Sequence, residues 1–247
     1  MNWRRYFDQC LKHNLKVMSE YIYGIGHSTL PPEPVNGPFE LCVLDYGSTD
    51  GVAGWIKRNF MQYISCGLMN FYRFAEPKHY HMTRAKNMAH KLGRGRFVIN
   101  LDGDNLIPNC QYLHLLQIKL QNTSRVVLSH GRSKLRGRIG FYKTDFIKLG
   151  GYDEVITNYA RGPGDDRELY SRAVKMGLKP LDMGRRQNRK LAPCKLDAYY
   201  VNRNYRDGQR RGFGSSVVGL TANVGKTWGG GQVIRNFKDK IEVTRES

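Results

Sequence analysis

Short apolar runs alternate with amphipathic stretches through the first half of this chain, and that alternation restricts it to one class of fold. FELCVLDY (Phe39–Tyr46), NFYRF (Asn70–Phe74), FVINL (Phe97–Leu101) and VVLSH (Val126–His130) have the length and composition of buried strands. Between them the apolar spacing changes to three and four residues. Phe7, Cys10, Leu11, Leu15, Met18 and Ile22 predict one helix, and Val52, Trp55, Ile56, Phe60 and Ile64 predict another over Gly51–Ile64. Thr83 is the expected cap of a helix running to Leu92, with Gly93 ending it in the left-handed conformation, and a further helix is expected over Cys110–Leu120. Strands and helices in this order predict an α/β layer with a mostly parallel sheet flanked by helices. The Pro/Gly-rich connector Leu30–Pro38 suits neither element. From about Leu191 the periodicity fades, so residues 1–190 are expected to form the domain and 191–247 a loop-rich, basic C-terminal extension.

In open α/β sheets, ligands bind beyond the carboxyl ends of the strands, which directs attention to the residues following each apolar run. The first such stretch is Asp45-Tyr46-Gly47-Ser48-Thr49-Asp50. It reads either as a nucleoside-binding turn or as an ordinary turn with a helix cap. The second is Asp102-Gly103-Asp104-Asn105, where two carboxylates flank a glycine. Such a pair supplies hard oxygen ligands for Mn²⁺ or Mg²⁺, and a loop rich in turn formers is the alternative. The third joins Gly150-Gly151-Tyr152-Asp153-Glu154 to Gly164-Asp165-Asp166-Arg167-Glu168-Leu169. Leu169, Ala173 and Met176 predict a helix stopped by Gly177, with Asp165 and Asp166 in its first turn. There they serve either the helix dipole or an acceptor hydroxyl, as general base.

Taken together, the three stretches resemble the family 2-like glycosyltransferases of GT-A fold. The matching segments are LDYGSTD, RAKNMAHKLGRGRFVINLDGDN and GGYDEVITNYARGPGDDRELYSR, spanning roughly Phe39 to Gly177. The resemblance implies a Rossmann-like domain that moves a hexosyl or pentosyl unit from a nucleotide sugar, a UDP-sugar foremost, to an acceptor hydroxyl. On this likeness Asp45 would contact the base or ribose, with Asp50 beside it, and Arg84 and Asn87 would approach the donor. Asp102 and Asp104 would hold Mn²⁺ or Mg²⁺ on the diphosphate. Asp166 would be the catalytic base of an inverting displacement and Asp165 would orient the acceptor. The chain departs from the family pattern in three ways. It opens at MNWRRYF, as if the family's first strand were missing; D-Y-G-S replaces D-D-G-S; and all seven histidines lie at or before His130, so a late histidine ligand is not expected.

Charge bears on the acceptor. Lys plus Arg number 40 against 21 Asp plus Glu, giving +19 at neutral pH. Residues 1–123 carry 14 basic and 9 acidic residues and residues 124–247 carry 26 and 12, so +14 of the excess lies in the second half. That balance points to a polyanionic partner. Arg132, Lys134, Arg136, Arg138, Arg185 and Arg186 are the candidate acceptor- or phosphate-binding residues. Three readings remain open: transfer to hydroxymethylated pyrimidines in DNA, as in phage DNA modification; transfer to a surface polysaccharide or lipid-linked sugar; and a non-catalytic nucleic-acid-binding module. A solubilising basic surface is the plain alternative. Gly229-Gly230-Gly231 reads as a lid hinge or a linker, and His79 and His81 as loop histidines. No apolar run approaches the roughly 20 residues of a membrane span and no secretory h-region follows the N-terminus. Five scattered cysteines suit a reducing cytoplasm, the host's if the gene is viral.

Overall fold

The computed structural model describes residues 3–24, 37–75, 77, 80–103, 105–128, 138–156, 165–181, 183 and 215–244. Among them the order is α1 (Trp3–Tyr23), β1 (Leu41–Tyr46), α2 (Val52–Asn59), α3 (Met61–Ser65), β2 (Met69–Phe74), α4 (Met82–Leu92), β3 (Phe97–Ile99) and α5 (Cys110–Gln121). Then follow β4 (Val126–Leu128), β5 (Gly140–Tyr142), α6 (Lys143–Lys148), α7 (Asp165–Lys175), β6 (Lys179–Leu181), β7 (Gly231–Arg235) and β8 (Asp239–Val243). The chain is α/β. No helix among the described residues is long and apolar enough to cross a membrane.

The strands form two four-stranded sheets, ordered β1-β2-β7-β8 and β3-β5-β4-β6. The pairing is mixed, where a mostly parallel sheet was expected: β1–β2 and β4–β6 are parallel, and the other four described pairings are antiparallel. The antiparallel character comes from strands whose alternation is short. β5 lies between β3 and β4 against the direction of both, and the β7–β8 hairpin adds to the edge of β2. The hairpin turns through Asn236 and Phe237, both left-handed (φ 49° and 65°). Asn236 fixes it, accepting from the Phe71 amide at 2.8 Å and donating its own amide to the Phe71 carbonyl at 2.7 Å. Residues 231–243 are thus built into a sheet, and that part of the expected loop-rich extension is corrected.

Side-chain alternation lets single strands feed two cores. Met69 and Phe71 of β2 join Leu11, Leu15 and Met18 of α1, Ile56 of α2 and Leu116 of α5. On the other face Tyr72 and Phe74 meet Met88 and Leu92 of α4 and Val233 and Val243 of the hairpin. A third cluster gathers Phe141, Phe146, Tyr152, Leu169, Ala173 and Trp228.

Three local expectations are revised. The helix predicted over Gly51–Ile64 breaks at Phe60 (φ −129°, ψ 11°), where the Asn59 amide takes the Trp55 carbonyl and Phe60 turns into the core against Trp55. The cap of α4 is His81, whose Nδ1 accepts from the Arg84 amide at 3.3 Å, while Thr83 is fully buried in the first turn. Gly93 is not left-handed (φ −59°, ψ 130°), because Lys143 Nζ donates to the carbonyls of Lys91 and Gly93 and closes the helix end instead. The connector 25–36 and residues 129–137 lie outside the described residues.

Candidate active site

The end of β1 behaves as the acid–glycine motif requires. Asp45 is 5% exposed; its Oδ1 accepts from the Ser48 amide at 2.9 Å, while Oδ2 lies 3.6 Å from Arg73 Nε on β2. Neither Oδ2 nor that Nε has a hydrogen-bond partner among the described residues. A buried carboxylate oxygen without a donor costs free energy, and the Arg73 guanidinium beside it offsets part of that cost. Gly47 allows the turn: at φ 74°, a Cβ there would fall 2.4 Å from the Pro77 ring. Asp50 is exposed and accepts from the Val52 amide, which favours the turn reading for that residue.

Helix α4 presents its polar residues on two faces. Arg84 donates to the Gly230 carbonyl at 2.8 Å and lies over the Phe74 ring. Asn87 is fully buried. Its Nδ2 donates to the Tyr152 carbonyl and to Glu154 Oε1, both at 2.9 Å, and its Oδ1 accepts from the Tyr152 amide at 2.7 Å. Both its Nδ2 protons and one lone pair of Oδ1 are thus spent on the buried G-G-Y-D-E turn, which corrects its expected contact with a donor. Gly229 also serves this join, its amide donating to Glu154 Oε1 at 2.7 Å, with any Cβ at Gly229 meeting Asn87 at 2.9 Å. The triple glycine is therefore packed against α4 and is neither hinge nor linker.

The G-G-Y-D-E turn is locked from below as well. Gly150 and Gly151 are left-handed, and a Cβ on either would strike Ala222 O at 2.0 Å or Asn87 Oδ1 at 2.4 Å. Asp153 is fully buried and accepts from Val155 N, Ser215 Oγ, Ser216 N and Ser216 Oγ at 2.6–3.0 Å. Burial alone would raise its pKa, but these donors outweigh it and hold the carboxyl below the ordinary range.

The acids converge on one lysine. Lys86 Nζ lies 2.9 Å from Asp165 Oδ2 and 3.1 Å from Asp166 Oδ1, and 5.0 Å above the Tyr152 ring. The Tyr152 hydroxyl donates to the same Asp166 Oδ1 at 3.2 Å. Both contacts of Asp166 fall on one oxygen, so Oδ2 is without a hydrogen-bond partner among the described residues, and the side chain stays 15% exposed. Burial pushes the Asp166 carboxyl up; Lys86 opposes that, the charges of Asp165 and Asp102 add to it, and the balance stands at about 6. Burial disfavours the Lys86 charge, yet Tyr152 and the three carboxylates outweigh it and hold Lys86 well above the usual lysine range. His90, behind Lys86, is fully enclosed, bonded through Nδ1 to the Lys86 carbonyl and stacked on Phe146; burial lowers it to about 4, so it is neutral.

Asp102 follows β3 as expected, its Oδ1 accepting from Asn100 Nδ2 at 2.9 Å. The loop beyond it is braced from α1: Asn14 donates to the Asn105 carbonyl and accepts from the Ile107 amide. Arg138 also braces that loop, donating to Asn105 Oδ1, and is 2% exposed. Its expected contact with a polyanion is therefore corrected: the guanidinium holds the loop. Asp104, Arg132, Lys134, Arg136, Arg185 and Arg186 lie outside the described residues, as does His79. Among the described residues no group of three or more His, Cys, Asp or Glu is arranged to hold a metal ion. Asp102 nevertheless supplies the hard oxygen donor that Mn²⁺ or Mg²⁺ favours.

Lys86, Tyr152 and Glu154 lie inside the motifs, which by themselves give these residues no role. The available signal was helical spacing: Thr83, Lys86 and His90 fall three and four residues apart. The chain matches no protein-family model and no curated protein.

Proposed function

We propose that this chain is a metal-dependent, inverting glycosyltransferase that moves a sugar from a nucleotide-sugar donor to an acceptor hydroxyl. One observation carries the reading: Asp166 is anchored through Oδ1 by Lys86 and Tyr152, its Oδ2 has no hydrogen-bond partner among the described residues, and burial pushes its carboxyl up to about 6. That is the geometry and basicity asked of a general base working near neutral pH. Its Oδ2 takes the acceptor proton as the acceptor oxygen bonds to the anomeric carbon. The bond from that carbon to the diphosphate oxygen breaks, and the nucleoside diphosphate leaves with the electron pair.

Asp45 at the end of β1, held by the Ser48 amide with Arg73 beside it, is the candidate nucleoside contact. Asp102, together with Asp104, would hold Mn²⁺ or Mg²⁺, which when bound neutralises the departing diphosphate. The likeness of the three motifs to GT-A enzymes agrees with this division of labour.

The test is a donor screen with Mn²⁺ followed by transfer assays on wild type and Asp166→Asn. The substitution is expected to lower turnover by about 10²–10⁴-fold while donor binding is kept. Wild-type activity should fall as pH drops through about 6, since only the ionised carboxylate accepts a proton. An Asp166→Asn enzyme that turns over at the wild-type rate refutes the assignment.

The second-half excess of +14 favours a polyanionic acceptor, DNA with hydroxymethylated pyrimidines before polysaccharide or lipid-linked sugar. Duplex binding that weakens steeply between low and moderate salt supports it, and salt-insensitive binding rejects it. Binding without donor turnover would return the chain to a nucleic-acid-binding module.

A further inference from the structure

Asp165 and Asp166 are neighbours on the first turn of α7, and successive side chains on a helix point about 100° apart. Two adjacent carboxylates also repel. Something outside α7 must therefore draw them to one point, and the contacts identify it. A single ammonium, Lys86 Nζ on α4, reaches both acids at 2.9 and 3.1 Å and is itself 11% exposed.

Stability alone does not account for the arrangement, because a buried ion pair gains little net free energy over well-packed apolar groups. The choice of cation fits placement better. A compact ammonium on a flexible stem can sit between two separate carboxylates, whereas a guanidinium fork matches both oxygens of one.

We propose that Lys86 is a positioning residue that gathers Asp165 and Asp166, occupies Oδ1 of Asp166 and so leaves Oδ2 as the oxygen presented to the acceptor. This rests on the reading of Asp166 as the base and assigns how that base is aimed and kept charged. The groups facing the pair are Lys86 from α4, Tyr152 from the turn before α7 and Asp102 from the loop after β3, with neutral His90 behind the lysine. Lys86 is the positive charge among those facing groups, and it opposes the upward push of burial on the Asp166 carboxyl.

The variants are Lys86→Met, Lys86→Gln and Lys86→Arg. The glutamine keeps a hydrogen-bond donor while removing the charge, and serves if the methionine variant does not fold. Two readouts apply. The first is the pH profile of transfer, with kcat and the donor KM measured separately. The second is the carbon-13 titration of the Asp165 and Asp166 carboxyls in the free protein, which needs no donor or acceptor. Removing the charge is expected to move the acid limb up by a unit or more, costing about tenfold in kcat below it, with the donor KM unchanged. The Asp166 titration should move up, and Lys86→Arg should restore that titration, which needs only the charge, but not kcat, which needs Oδ2 of Asp166 left free of a guanidinium fork.

Met or Gln variants with the wild-type acid limb, or with carboxyls that titrate as in the wild type, overturn the proposal. If the wild type transfers no sugar, the functional reading fails by itself, and the carbon-13 titration still decides whether Lys86 controls the pair.

Discussion

Asn87→Ala separates a residue that binds substrate from one that builds the site. Three hydrogen bonds disappear, but their partners do not fare alike. The Tyr152 carbonyl still accepts from Asn223 Nδ2 at 2.8 Å, and Glu154 Oε1 still accepts from the Gly229 amide at 2.7 Å. Only the Tyr152 amide, in a fully buried residue, is left bare. A bare buried donor costs about 1–3 kcal/mol, and the two replaceable bonds contribute about 1 kcal/mol each. Alanine returns a few tenths of a kcal/mol through its helix preference. The net loss is on the order of 3 kcal/mol. With an m-value of about 2–3 kcal/mol per molar in urea, the unfolding midpoint followed by circular dichroism should fall by about 1 M or more. Asn87→Asp should do no better: it keeps an acceptor for the Tyr152 amide but sets a carboxylate against the Tyr152 carbonyl and Glu154. A loss below about 1 kcal/mol, accompanied by weakened donor binding, would falsify this account and return Asn87 to the donor pocket.

Asp153 offers a pH test with a definite sign. Its folded carboxyl titrates below the ordinary range, so its contribution is present above the unfolded pKa near 4 and is lost as pH falls through the folded value. The stability gap between wild type and Asp153→Ala, on the order of 3 kcal/mol at pH 7, should narrow as pH drops below about 4, and a gap that is flat with pH sinks the assignment. Two glycines provide a paired comparison by thermal melting. Gly177 is left-handed (φ 90°) in open space, so Gly177→Ala should cost only the backbone strain of about 1–2 kcal/mol. Gly151 has the same handedness, but its Cβ would meet Asn87 Oδ1 and the Trp228 ring at 2.4 and 2.5 Å, so Gly151→Ala should cost at least about 3 kcal/mol.

Much of the fold was legible because its longer elements bury continuous stripes. The periodic residues of α1, the expected helix that became α5 and the apolar runs of β1 and β2 lie where the sequence places them. β5 and β6 have three residues each, too few for alternation to register, and β7 and β8 carry Gln232, Arg235, Asp239 and Glu242 among their apolar positions. The antiparallel pairings were hidden for that reason. At the site, motif order identified α4 and α7, but which α4 side chain meets the acids depends on how the two helices pack. Adjacent positions on a helix differ by about 100°, so Lys86 turns toward α7 while Arg84 turns toward Gly230 and Asn87 toward the buried turn. Arg138 was misread for a related reason: a basic run reads as surface, and only the fold shows that one member of it is buried.

The wrapping of residues 215–244 around α4 has a consequence for the order in which the protein is made. Lys91 Nζ bonds the carbonyls of Trp228 and Thr244, Arg84 bonds Gly230, and Asp153 waits for Ser215 and Ser216. The residues bridged by Lys91 and Arg84 are 137 to 153 positions apart in the chain. While a ribosome is still adding residue 200, Glu154 and Asn87 exist but the Gly229 amide that completes their join does not. Closure of such distant contacts is slow compared with helix formation. The brace behind the site, from Asp153 and Glu154 to Ser215 and Gly229, is thus a late product of synthesis, completed only once these residues have emerged.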